Sequence, residues 1–339
     1  SVVYTIYGSP DSAVLAMKNG DIDFLYGFGL LQPGLADQIR ADPNFSVVEN
    51  PTYGMIYMSF NNRRRPMNDC AFRQAVAVLI DKEFMINQVL QGTVRPLYNY
   101  VPSANKLWYN DKIEKLGENL SRAERTELAK AILKGAGYKW EAGEPEWDEE
   151  NRSVVPAGRL IMPDGTSVPG LKLLSPGPGY DPLRSTFAIW IENWLNEFGI
   201  PLEAELEGFN ELIPRIFIDQ DFDMFIMGWS VWEIPDYLYD FFASENAVID
   251  GDNAGGYMNP EYDKLAYQLL TCATYQDCKH ISDQAQLVLT TELPYVVLFD
   301  NGIIDAFRTD SVEYPYTEVL GGILGEHENG LMHTLVRLK

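Results

Sequence analysis

Residues 171–229 read LKLLSPGPGYDPLRSTFAIWIENWLNEFGIPLEAELEGFNELIPRIFIDQDFDMFIMGW. Strands and helices alternate along this stretch, with predicted strands over 171–175, 201–206 and 222–229 and predicted helices over 181–198 and 210–218. Asp181 and Pro182 mark the start of the first helix, because Asp caps a helix through its side chain and Pro suits the first helical position. The last strand is almost continuously apolar. The run therefore predicts a parallel α/β sheet covered on both faces.

Large aromatic residues lie at the end of the last of these strands and just after it, namely Trp229, Trp232 and Tyr237. In a parallel α/β sheet, ligands bind outside the carboxyl ends of the strands. Rigid aromatic rings at that edge can form an apolar wall with polar tips. The three residues are therefore candidate ligand contacts. The alternative is that their rings fill the core beneath the loop.

Arg184 lies early in the helix that follows the 171–175 strand, and so near the same edge of the sheet. A guanidinium group at that place can pair with a carboxylate of a ligand through two parallel hydrogen bonds. The alternatives are a solvated surface arginine and an internal ion pair. We treat Arg184 as a further candidate ligand contact.

The composition excludes several classes of protein. The chain of 339 residues has 49 acidic and 26 basic residues, which gives a net charge of −23. So acidic a chain repels phosphate backbones and anionic lipid, and we expect no nucleic-acid partner. Charged residues make up 22% and apolar ones 46%, which is typical of a folded globular protein. No apolar stretch is long enough to predict a membrane-spanning helix.

The sequence carries no recognisable catalytic signature. It lacks the nucleophile-elbow, zinc-protease, phosphate-loop and dinucleotide-binding motifs, and it has three His residues. We expect neither a cofactor nor a metal site, and we expect no enzymatic activity. Paired carboxylates of the glycoside-hydrolase kind remain an alternative, because 49 acidic residues bring some pairs together by chance.

Cysteine usage is sparse. Cys272 and Cys278 flank a short link between two predicted helices, so either a local disulfide or two free thiols fits their spacing. Cys70 has no evident partner. The first residues, Ser1 to Tyr4, resemble the middle of a strand and not a signal peptide, which suggests a processed chain or a piece of a longer one.

Several segments resemble the family 5 extracellular solute-binding proteins. Residues 58–92, MSFNNRRRPMNDCAFRQAVAVLIDKEFMINQVLQG, are similar to the family's Phe-Asn strand, its Pro-containing turn and its helix with Arg-Gln-Ala and Ile-Asp-Lys. The other similar segments follow in family order, namely LAMKNGDIDFLYG (15–27), FDMFIMGW (222–229), GGYMNPEYDKL (255–265) and ELPYVVLF (292–299). Together these segments extend over nearly the whole chain.

The resemblance implies a ligand-capture protein of an ATP-driven (ABC) importer, located outside the cytoplasm and acting on peptides, nickel complexes or some sugars. It implies a fold like that of the type II periplasmic binding proteins, with two α/β lobes that close on the ligand. Residues 1–60 and 300–339 would then be a remnant of the first lobe, and 61–299 the second lobe with a mainly parallel sheet. The implied partners are a peptide-like solute and a transporter permease, and we expect a monomer. A ligand-sensing domain of the same fold remains an alternative.

One position departs from the family pattern. Peptide-binding members often carry an Asp three residues after the Gly-Trp tryptophan, where it pairs with the amino terminus of the peptide. Trp232 occupies that place here, and Glu233 follows it. Glu233 could replace the Asp only if the loop were shifted. Apolar peptides and sugars therefore stay open as ligands beside peptides with a free amine.

Overall fold

The computed structural model describes residues 3–7, 10–25, 33–50, 53–90, 92, 94–156, 158–300, 303–313 and 337–339. The helices are α1 (Pro10–Asn19), α2 (Pro33–Arg40), α3 (Cys70–Leu79), α4 (Lys82–Phe84), α5 (Arg122–Gly135), α6 (Pro182–Glu197), α7 (Phe209–Phe217), α8 (Tyr237–Phe242), α9 (Pro260–Thr271) and α10 (Tyr275–Glu292), with a π-helical turn at Met85–Val89 and a 3₁₀ turn at Ser244–Asn246. The strands are β1 (Phe24–Leu25), β2 (Phe45–Asn50), β3 (Gly54–Phe60), β4 (Arg95–Pro96), β5 (Lys139–Trp140), β6 (Glu146–Asp148), β7 (Ser153–Val155), β8 (Leu160–Ile161), β9 (Leu171–Pro176), β10 (Leu202–Glu207), β11 (Met224–Ser230), β12 (Tyr295–Asp300), β13 (Ile303–Arg308), β14 (Val312–Glu313) and β15 (Arg337–Leu338). No helix in this part of the chain is long and apolar enough to cross a bilayer.

The chain divides into two compact units. The small unit contains Ser1–Thr52, Thr93–Arg95 and Asp300–Lys339, and the large unit contains Tyr53–Gly92 and Pro96–Phe299. The sequence had suggested a first division after residue 60, whereas the first segment of the small unit ends at Thr52. The reason is that β3 is hydrogen-bonded on both sides to strands of the large unit. The assignment of the units to two lobes stays a prediction, and residues 314–336 of it lie outside the described residues.

The small unit contains a three-stranded antiparallel sheet in the order β1, β13, β2. Helices α1 and α2 contact this sheet. Their apolar side chains form a core with the strands, and its fully or nearly buried members are Val14, Met17, Leu25, Ala36, Ile39 and Ala306. This core is small, because the structure describes few elements in the small unit.

The large unit is built on a mainly parallel sheet. Its five longer strands lie in the order β10, β9, β11, β3, β12. Strand β9 runs parallel to both β10 and β11, while β3 runs antiparallel to both β11 and β12. Four of the five strands therefore point the same way. The predicted mainly parallel α/β sheet is confirmed.

Both faces of this sheet are covered. Met224, Phe225 and Ile226 are consecutive on β11 and are all fully buried, although successive side chains of a strand point to opposite faces. Helix α6 lies against β9, β10 and β11, and Phe187 of this helix stacks on Phe299 of β12. The opposite face carries a large aromatic core that includes residues of α8, α9 and α10. This double coverage explains why the last predicted strand is apolar throughout.

A disulfide joins Cys272 and Cys278, whose Cα atoms are 5.3 Å apart. Cys272 caps the carboxyl end of α9, and Cys278 lies in the first turn of α10. The spacing alone had left this pairing open. Cys70 is free and partly buried, and its thiol contacts the carbonyl of Thr291 at 3.5 Å.

Lys82 is a buried cation in the large unit. Its ammonium group donates to the Leu97 carbonyl at 2.6 Å and lies 4.1 Å from the centre of the Tyr98 ring. Burial lowers the pKa of Lys82 to about 7, with Glu83 acting against and Arg125 adding to this shift. In the unfolded chain the same group titrates near 10.4.

This difference predicts a pH dependence of stability. Between the folded pKa and the unfolded pKa the unfolded chain binds more protons, so the free energy of unfolding rises with pH in that window. We expect Lys82 to contribute a rise of about 1.5 kcal/mol between pH 7 and 8.5. Urea unfolding of the unsubstituted chain and of Lys82→Met at both pH values measures the difference.

The matched control is Lys115→Met, because Lys115 also lies near the Tyr98 ring but has a raised pKa, caused first by its hydrogen bond to Glu118. Lys115→Met should retain the rise. Equal pH slopes in the unsubstituted chain and in Lys82→Met would contradict the prediction.

Candidate functional site

Three loops meet at the carboxyl edge of the large unit's sheet. Strands β9, β10 and β11 are parallel, and Glu207 at the end of β10 is level with Pro176 at the end of β9. The loops that follow these three strands therefore lie at the same end of the sheet. We refer to this region as the carboxyl edge, defined by residues 177–184, 207–211 and 229–236.

Trp229 connects the carboxyl edge to the core. It is partly buried, and its ring stacks on Phe241 with 4.6 Å between centroids and 13° between planes. Tyr57 lies parallel to it at 6.5 Å, and Phe217 packs edge-on at 6.5 Å. The indole Nε1 is buried and makes no hydrogen bond of normal geometry among the described residues, but it interacts as a donor with the hydroxyls of Tyr57 and Tyr295. Trp229 thus packs as a core residue on its faces, and its polar donor interacts with two core hydroxyls.

Two tyrosines extend this aromatic stack into the core. Tyr57 and Tyr295 stack with 4.2 Å between centroids. Burial raises the pKa of both hydroxyls, so both remain neutral and able to donate. Both hydroxyls interact with the indole N–H of Trp229 as hydrogen-bond acceptors, although the Tyr295 hydroxyl makes no hydrogen bond of normal geometry within the described part of the chain. A buried polar atom without a partner costs free energy, so such atoms call for an explanation.

Arg184 is held at one side of its guanidinium group. Asp181 caps α6 by accepting from the Arg184 backbone N–H at 2.9 Å, and its second oxygen accepts from Nε at 2.6 Å. Nη1 has only a weak contact, 3.9 Å to the Met227 sulfur. Nη2 makes no hydrogen bond to any residue that the structure describes. An internal ion pair is therefore present, the Arg184 residue is only 9% exposed, and Nη2 alone stays without a hydrogen bond to the described residues.

Trp232 and Glu233 lie in the loop after β11. Trp232 is 49% exposed, and its indole nitrogen donates to Asp236. Glu233 is exposed, and its backbone carbonyl accepts from Asn105 Nδ2 at 2.7 Å, which fixes the loop. The pKa of Tyr53 is raised by burial and then by the Glu233 carboxylate, so that charge lies near Tyr53.

The structure corrects the assignment of Tyr237. This side chain is fully buried, and its hydroxyl donates to the Tyr100 carbonyl at 3.3 Å. It points inward because α8 begins at Tyr237 and packs its apolar residues into the aromatic core. Tyr237 is thus a core residue, and we remove it from the candidate ligand contacts.

Sequence reasoning missed a stacked aromatic pair with one exposed ring. Tyr180 follows β9 and stacks on Phe209, the first residue of α7, with 4.6 Å between centroids and 16° between planes. Tyr180 is 57% exposed, and Phe209 is partly buried. Both residues follow strands at the carboxyl edge, as Trp232 does, so the same signal was present in the sequence.

Three carboxylates of the carboxyl edge are engaged by basic or donor groups. Asp181 pairs with Arg184, Asp236 accepts from Trp232, and Glu207 pairs with Arg215. Arg215 also pairs with Glu205, whose pKa is lowered, first by the hydrogen bond from Lys172. These contacts fix the side chains around the carboxyl edge.

Comparison with known proteins points to one family. The family described as "Bacterial extracellular solute-binding proteins, family 5 Middle" matches residues 1–248. The oligopeptide-binding protein AppA of Bacillus subtilis is 25% identical over 290 residues, which cover 84% of this chain and 46% of AppA. The chain spans about half the length of the curated relatives it matches.

Solved structures confirm the fold. AppA from B. subtilis in complex with a nonapeptide superposes with a TM-score of 0.71 at 22% identity, covering 93% of this chain and 57% of that one. HbpA2 from Haemophilus parasuis gives a TM-score of 0.73 at 18% identity, covering 99% of this chain and 57% of that one. The expected fold of the type II periplasmic binding proteins is thus borne out.

Proposed function

Because this chain belongs to the family 5 bacterial extracellular solute-binding proteins, we propose that it captures a peptide-like solute and delivers it unchanged to an ABC importer. It acts without a cofactor and as a monomer, and its partner is the importer's permease. The large unit is one lobe, and the small unit is part of the other. The ligand's remaining contacts come from the rest of the protein.

The observation that carries this proposal is a set of unused polar atoms beside exposed aromatic rings at the carboxyl edge. Arg184 Nη2 is a donor without a partner among the described residues, and Glu207 Oε2 is a buried acceptor without one. A peptide supplies both a carboxylate and backbone groups that can meet such atoms. Trp229 and Arg184 are accordingly the proposed central contacts.

Trp232 and Glu233 complete the proposed contact set. The half-exposed Trp232 ring offers apolar surface to a side chain of the ligand. Glu233 offers an exposed carboxylate to an amino group. The chain's charge of −23 also favours the approach of ligands with a positive end.

The disulfide between Cys272 and Cys278 supports a location outside the cytoplasm. Stable disulfides form in oxidising compartments such as the periplasm and the cell surface, and they are rare in the reducing cytosol. We therefore place the protein on the outer side of the cytoplasmic membrane, where an importer receives its substrate.

Calorimetry tests the proposed function. The whole protein, including any residues before Ser1 and after Lys339, is titrated with peptides of two to nine residues, each supplied as the free acid and as the C-terminal carboxamide. Oligosaccharides and a nickel–histidine complex serve as comparison ligands. We expect saturable binding of peptides and recovery of the peptide intact. Binding of sugars or the nickel complex alone, or cleavage of a bound compound, would refute the proposal.

A further inference from the structure

Tyr180 joins two parts of the carboxyl edge that are distant in sequence. Its ring stacks on Phe209 of α7, and the Arg184 guanidinium carbon lies 5.7 Å from the same ring's centre. The three side chains therefore form a row from Phe209 through Tyr180 to Arg184. A guanidinium group close to an aromatic ring is attracted by the ring's π electrons.

The loop that carries Tyr180 is held by its backbone. Gly177 donates to the Glu207 carbonyl at 2.8 Å, and the N–H groups of Tyr180 and Asp181 both donate to the Gly177 carbonyl at 3.0 Å. Tyr180 thus extends from a braced turn.

Tyr180 has little role in the core. More than half of its surface is exposed, whereas Tyr57, Tyr237 and Tyr295 are almost completely buried. The Tyr180 ring instead lies next to the Arg184 guanidinium group. It can therefore act on the orientation of this long side chain, which must be kept fixed before it binds a carboxylate.

We infer that Tyr180 is a positioning residue that, together with Asp181, fixes Nη2 of Arg184 for a ligand's carboxylate. Asp181 holds Nε from one side, and the Tyr180 ring restricts rotation of the guanidinium plane. Tyr180 acts through Arg184 and sets the preference for ligands with a free carboxylate. This inference rests on the proposed function and adds the determinant of ligand class.

The test uses the whole protein and the tightest-binding tripeptide of the panel, as the free acid and as the carboxamide. Tyr180→Ala should weaken binding of the acid about tenfold and leave binding of the amide within twofold. Tyr180→Phe should retain the affinity for the acid, because the ring and not the hydroxyl supports Arg184. Tyr275→Ala is the control, since Tyr275 is also about half exposed and packs edge-on against an aromatic ring, that of Trp108.

A double-mutant cycle separates positioning from direct contact. In an Arg184→Met background, Tyr180→Ala should have no further effect on binding of the acid. A persisting loss there, or equal losses for acid and amide, would mean that Tyr180 contacts the ligand itself and would overturn the inference. Arg184→Met with unchanged discrimination between acid and amide would also overturn it, with peptide capture intact. If no peptide binds the unsubstituted protein, the proposed function fails instead.

Discussion

Replacing Arg125 by methionine is expected to lower the free energy of unfolding by about 3–5 kcal/mol. Arg125 is 1% exposed. Its Nε donates to the Leu120 carbonyl at 3.1 Å, and Nη1 donates to the Val78 carbonyl at 3.0 Å. Nη2 pairs with Glu83 at 2.6 Å and with Asp81 at 3.4 Å. The substitution would leave two carboxylates and two carbonyls without a positively charged partner.

The physical reason for the large effect is the burial of the Arg125 ion pairs. Asp81 and Glu83 are mostly buried, so neither can exchange the lost ion pair for full hydration. Arg125→Lys keeps the charge, but a lysine cannot reach the carbonyls and the carboxylates at once. Its free energy of unfolding should therefore lie between those of the unsubstituted chain and Arg125→Met.

Chemical unfolding monitored by circular dichroism measures the loss for Arg125→Met. Lys134→Met on the same helix is the control, because Lys134 forms an exposed ion pair with Glu144 at 2.7 Å and such pairs contribute at most about 1 kcal/mol. Equal losses in the free energy of unfolding for both substitutions would show that the buried ion pairs of Arg125 contribute no more than an exposed pair.

Trp229→Ala is expected to weaken peptide binding about 100-fold, or by about 2–3 kcal/mol. The substitution removes the apolar wall and the indole donor at the carboxyl edge together. It should also lower stability, because the ring stacks on Phe241. The decisive quantity is therefore the affinity of the folded variant for the tripeptide acid, measured by calorimetry at a temperature well below its unfolding transition.

Trp190→Ala provides the matched control. Trp190 is also partly buried and packs against Phe84 and Trp194, but it lies in α6 outside the carboxyl edge. We expect it to reduce stability to a similar extent and to leave affinity unchanged. If Trp229→Ala behaved in the same way, Trp229 would be a core residue only, and the proposed site would lose its central contact.

Local sequence patterns predicted the helices and strands of the 171–229 stretch well. Asp181 caps α6 and Pro182 opens it, as the residue types had indicated. The buried strand β11 was evident from its unbroken apolar run. These features depend on neighbouring residues in the chain, so the sequence contains them directly.

The roles of single aromatic residues were not predictable in this way. Trp229 lies near the end of β11 and Tyr237 follows this strand, yet Trp229 is only partly buried and Tyr237 is enclosed by the core. The direction of each ring depends on how α8 packs against distant elements. Tyr180 gained its significance only from Phe209, 29 positions away, across the gap between two loops.

The sequence by itself determined the family, through the resemblance of several segments, and it determined the mainly parallel sheet and the edge at which candidate contacts gather, because these follow from local periodicity, caps and strand order. Tertiary structure alone decided that β3 enters the sheet between β11 and β12, that Cys272 pairs with Cys278, and that Nη2 of Arg184 stays without a hydrogen bond beside Tyr180. These outcomes depend on contacts between residues far apart in the chain, and a sequence does not show which of its many compatible pairs will meet.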